Sequence, residues 1–111
     1  MTDGFNDIGF LGNDLETWRA HVRAEFPESF AIADRMNRMG MRMVHEMPEG
    51  ERSEAQALAI AAFYRALQSF QCVVFLSERG ALAEARSLAR LCCEAVIVAG
   101  GFLLRLAIPT R

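Results

Sequence analysis

Side chains able to do chemistry are densest between Arg35 and Met47, where the chain reads RMNRMGMRMVHEM. At helical spacing Met36, Met39, Met43 and Met47 share one stripe, while Arg35, Arg38 and Arg42, followed by His45, share the adjacent one. Arg35, Arg38 and Arg42 make a candidate anion site, because each guanidinium offers a planar fork of charged donors to a phosphate or carboxylate. Six residues separate Arg38 from His45, about two helical turns, so both side chains can face one phosphate. There the imidazole would give or take a proton and the guanidinium would hold the developing charge. Thioethers beside a histidine also suit cuprous copper, but Met39, Met41 and Met43 cannot converge on one ion from a helix. The plainer reading is an amphipathic helix with an adaptable methionine face and a solvated arginine face.

Other catalytic patterns are missing. There is no glycine-rich phosphate loop, no Cys-x-x-Cys pair and no His-Glu-x-x-His, so neither a cofactor nor a metal is expected. Cys72, Cys92 and Cys93 form no even disulfide framework and lie in apolar runs, which predicts buried, reduced thiols and a cytoplasmic setting. The first residues, MTDGFNDIGF, lack the basic start and apolar stretch of a signal peptide. The apolar run from Ala95 to Leu104 is far below the roughly 20 residues that span a bilayer, so no membrane association is expected.

A chain of 111 residues with 52% hydrophobic side chains, 23% charged ones and net charge −2 is one domain, residues 1–111. Its 12 basic side chains are all arginine and face 14 acidic ones, so bulk charge does not argue for nucleic acid. Residues 1–12 read as an arm or loop pinned by Phe5, Ile8, Phe10 and Leu11. A helix over 13–25 follows, with Asn13 or Asp14 as its cap, and Pro27 opens a second over 27–47 that ends at Pro48 and Gly50. Ser53 and Gln56 form a capping box for a third helix over 53–79. Gly80 then takes the left-handed turn into a fourth over 81–108, stopped by Pro109. No stretch alternates as a strand does. The expected class is all-α: a four-helix, bundle-like fold with a long antiparallel C-terminal hairpin.

That hairpin would set Arg65 level with Glu94, Ser69 with Arg90 and Cys72 with Ser87. Arg65, Gln68, Ser69, Arg90 and Glu94 would then make a polar seam that fixes register. The rest of both helices is apolar nearly all round, so something must cover more than one side. A homodimer or a protein partner is therefore expected, with Val96, Gly100, Phe102 and Leu103 at the interface. Gly100 and Gly101 would leave a flat spot for close approach of another backbone.

The Arg38–His45 spacing resembles that of HEPN-type ribonucleases, whose sites form across dimers of helical bundles. That resemblance implies Arg38 and His45 as catalytic residues without a metal, although Met39 stands where the motif has a polar residue. From Tyr64 to Ala95 the segments YRALQSFQCVVFLSERG and ALAEARSLARLCCEA resemble a bacterial all-helical family of unknown function. Its marks are a Leu-x-Glu-Arg-Gly turn, Glu84-Ala85, and an Arg-x-x-x-Glu step at Arg90 and Glu94. It implies a helical hairpin and no particular activity. The leading expectation is a non-enzymatic interaction module, of the kind found among regulators, antitoxin-like proteins and phage-encoded inhibitors. Ribonuclease activity, or RNA and polyanion binding through the arginine-rich helix, is the alternative.

Overall fold

The computed structural model describes residues 4–47, 50 and 53–107, and for 102, 103 and 105–107 the backbone alone. All regular structure in them is helical: α1 (Phe5–Ile8), a 3-10 turn (Gly9–Leu11), α2 (Asp14–Glu25), α3 (Pro27–Glu46), α4 (Glu54–Glu78) and α5 (Leu82–Ala107). The chain is thus all-α, and the two long C-terminal helices pack together as expected.

Local chemistry explains most boundaries. Phe26 leaves helical geometry and Pro27 starts α3 at the position where a missing N–H costs nothing. At the start of α4 the Gln56 N–H donates to Ser53 Oγ at 3.2 Å, and the Ser53 N–H donates to Gln56 Oε1 at 3.0 Å. Gly80, at φ 83°, closes α4 in a Schellman turn: its N–H donates to the Ser77 carbonyl and that of Ala81 to the Leu76 carbonyl. Two expectations need correcting. The arm is not a plain loop, since α1 and the 3-10 turn occupy it. Neither Asn13 nor Asp14 provides a side-chain cap, because Asn13 is already in helical conformation and its amide cannot reach back to the first turn. Pro48, Pro109 and the predicted ending at Ile108 lie outside the described residues.

The α4–α5 hairpin closes along small side chains. Ala59, Ala66 and Ser69 on α4 face Ala85 and Ala95 on α5, all buried, and the Cys92 thiol donates to the Ala66 carbonyl at 3.4 Å. On each helix these positions recur at steps of seven and three, the repeat of a coiled-coil seam. Alanine and serine let the two backbones come close, so the bulkier apolar side chains flank the contact instead of filling it. No large side chain is fully buried anywhere in the described structure.

Helix α3 lies antiparallel on the opposite side of α4. Its buried Gly40 meets Leu67, where an added Cβ would come within 2.6 Å of Leu67 Cδ1, and Gln71 Nε2 donates to Asn37 Oδ1 at 2.9 Å. Helix α4 is thus the central helix, with α5 on one side and α2 and α3 on the other, and α5 packs chiefly on α4. The molecule is elongated, 68 × 24 × 23 Å, with a radius of gyration of 18.0 Å. A compact chain of this size would have about 13 Å.

A polar cluster locks α2 and α3 to the end of α4. Glu78, its side chain only 5% exposed, accepts from Arg19 Nε and from Arg23 Nε, the latter at 2.8 Å. The other nitrogens of Arg23 grip both oxygens of Asp34 on α3, at 2.9 and 3.2 Å. Burial pushes the Glu78 carboxyl up, but the hydrogen bond and charge of Arg23, then those of Arg19, bring it below the ordinary range. Hydrogen bonds from Arg23 likewise hold Asp34 low. The unfolded chain therefore binds more protons at these two groups. Their stabilisation should be complete above about pH 5 and fade as pH falls below about 4. Glu78→Gln, which leaves Arg19 and Arg23 without their shared charge, should cost about 2 kcal/mol at pH 7 and flatten that acid dependence. Urea unfolding of both proteins at pH 7 and pH 3.5 measures the two effects.

Candidate functional site

The arginine-rich helix is the candidate site, and its two faces differ. Phe30, Ala33, Asn37, Gly40 and Val44 recur every three or four residues and point towards the body. The opposite side is exposed and divides into an arginine ribbon (Arg35, Arg38, Arg42) and an apolar one (Ile32, Met36, Met39, Met43). These ribbons line a shallow depression bounded by Ile32, Arg35, Met36, Arg38, Met39 and Arg42. All six come from α3, so one wall is missing and a bound molecule would be gripped from one side only. The three guanidiniums make no ion pair among the described residues, whereas those of Arg19, Arg23 and Arg79 are all engaged. The predicted methionine stripe holds at Met36, Met39 and Met43, while Met47 is partly buried. Met41 lies on the α4 side, its sulfur accepting from Gln71 Nε2 at 3.4 Å.

Arg38 and His45 are both exposed and lie on the same edge of α3. Their Cα atoms are about 10 Å apart along the helix axis, so the side chains would have to lean together to share one phosphate. Among the described residues no group of three His, Cys, Asp or Glu side chains could hold a metal ion.

The polar seam takes a different form from the one expected. Ser69 is buried, but Arg65, Gln68, Arg90 and Glu94 are exposed, and no hydrogen bond or ion pair joins them among the described residues. The small-residue stripe claims the contact, and Cys92 against Ala66 has the register that levels Arg65 with Glu94. The thiols also depart from expectation: Cys72 and Cys93 are exposed and only Cys92 is half-buried, its thiol pushed up by burial and then by Cys93. Among the predicted interface residues Val96 and Gly100 are exposed on α5, and the side chains of Phe102 and Leu103 lie outside the described set. Around them Ile97 is 73% exposed and Leu104 62%.

Sequence reasoning missed the Glu78 cluster. The available signal was a carboxylate in the last turn of a helix, where the backbone dipole disfavours it. An acid in that place invites a search for the cations that compensate it. Helix α4 is also long and apolar enough to cross a membrane by length and composition, whereas sequence reasoning weighed only the run in α5 and found it too short. Comparison with protein-family models, curated proteins and solved structures found no match to this chain.

Proposed function

We propose that the chain is a helical interaction module that works by self-association or by binding and regulating another protein. The observation carrying this reading is the open apolar surface of α5. Val96, Ile97, Val98 and Leu104 are all at least half exposed, while the seam beneath them consists of alanine, serine and cysteine. Burying the half or more of each side chain still exposed is worth about 1–2 kcal/mol each, so a covering surface has much to gain. Exposed Arg86, Arg90 and Glu94 on α5 and Arg65 in the middle of α4 mix charge with this surface, which suits a protein partner better than lipid. A second copy laying its own hairpin on α5 would form a separate four-helix bundle between the two chains. The reading places the protein among cytoplasmic regulators and inhibitors; the resemblance over residues 64–95 covers the turn and the adjoining parts of both helices and bears on the fold alone.

Light scattering across a concentration series tests it. A species near 25 kDa, twice the 12.4 kDa chain, is expected, and Ile97→Glu should shift it to the monomer. A monomer at every concentration that also retains no protein partner would contradict the reading.

A second reading rests on the exposed ribbon of Arg35, Arg38 and Arg42, which has no ion pair among the described residues: it binds RNA or another polyanion, with Arg38 and His45 as the candidate cleaving pair. Neutralising three phosphates should make log K fall against log salt with a slope of about −2 for a single strand. Arg38→Ala should reduce that slope, and His45→Ala should abolish any cleavage while leaving the fold intact. Affinity insensitive to salt would exclude this reading.

A further inference from the structure

Where the hairpin turns, three aromatic side chains line one pocket with about half of each exposed: Phe5 on α1, Phe10 in the 3-10 turn and Trp18 on α2, whose indole also lies 5.7 Å from the His21 ring. With Asp14, Arg79 and Gly80 they line a pocket of about 390 Å³, walled mostly by apolar atoms. The Phe5 and Phe10 rings stand edge to face, with centroids 5.2 Å apart. Gly80 backs onto the indole closely enough that an added Cβ would lie 3.4 Å from Trp18 Nε1. Segments distant in sequence thus build one concave wall of rings, outside the arginine ribbon and the open face of α5.

Two charged side chains line this pocket, Arg79 and Asp14. Arg79 is committed elsewhere: it donates to Glu16 Oε1 at 2.8 Å and to the Phe75 carbonyl at 2.9 Å, with its guanidinium 3.6 Å from the centroid of the Phe75 ring. Glu16 balances that cation. Asp14, in the first turn of α2, has no side-chain ion pair among the described residues, so a carboxylate stands beside three aromatic rings. Aromatic rings and a carboxylate both attract a cation, and apolar walls select one that sheds water easily. We propose that this pocket binds the quaternary ammonium group of a small free molecule. A primary ammonium, more strongly hydrated and seeking three acceptors, fits these walls less well.

Trp18 is the only tryptophan in the chain, so its fluorescence reports on the pocket directly. Choline should change that emission saturably, with a midpoint at least about tenfold below that of its neutral isostere, 3,3-dimethylbutan-1-ol. Asp14→Asn should weaken choline by about the same factor and leave the isostere unchanged. If circular dichroism shows that this variant loses helix, the comparison of choline with the isostere on the native chain decides alone. A peptide carrying Nε-trimethyllysine and phosphatidylcholine vesicles present the same group from larger sources. Response to either without response to free choline would overturn the assignment to a small molecule. Equal midpoints for choline and the isostere, or no saturation by choline below about 100 mM, would overturn the site as a cation pocket.

Discussion

Close approach of α4 to α5 along small side chains is the constraint on which the rest of the structure depends. With Ala59, Ala66 and Ser69 opposite Ala85, Cys92 and Ala95, the backbones meet with little side-chain volume between them. Backbone contact of this kind gives a rigid pair of long helices but buries little apolar area per residue. The large residues that other helical hairpins use as filling are displaced to the flanks, and on α5 they face outwards. An apolar outer surface is therefore a consequence of how the hairpin closes.

Because the hairpin has no thick core, polar and aromatic contacts near its turn take on much of the work of holding the N-terminal helices. Glu78 gathers Arg19 and Arg23, and Arg23 extends the chain of charge to Asp34. Arg79, the next residue, binds Glu16 and lies on Phe75. Two adjacent residues at the end of α4 thus fix α2, and through it the tilt of α3. Further along, contact between α3 and α4 is narrow, centred on Gly40 and the Asn37–Gln71 hydrogen bond. This arrangement leaves the outer face of α3 free for its arginine and methionine ribbons.

Helix boundaries were legible wherever backbone chemistry is local. Pro27, the Ser53–Gln56 box and Gly80 each act within a few residues, and each did what its type dictates. The register of the hairpin followed from the turn position, as the Cys92–Ala66 contact agrees. What could not be read was which stripe of an all-round apolar helix turns inwards. Large residues looked like core, yet alanines took the contact, so Arg65, Arg90 and Glu94 stand in solvent and not in a seam. The same blindness applied to Glu78, whose partners lie 55 and 59 positions away. The arginine ribbon was legible because it needs only the period of one helix, whereas the aromatic pocket requires three segments to meet.

Adjacent cysteines, pointing about 100° apart around α5, offer the most direct test of the small-residue seam. Cys92 sits in it with its thiol on the Ala66 carbonyl and held protonated by burial, while Cys93 is exposed. The measurement is the rate of alkylation at each thiol, followed by fragment mass spectrometry on the native chain at low concentration. Cys93 should react at least about tenfold faster than Cys92, since the reactive species is the accessible thiolate. Equal rates, or faster reaction at Cys92, would mean that α4 and α5 do not close along the alanine stripe, and the account of the open outer face would fall with it.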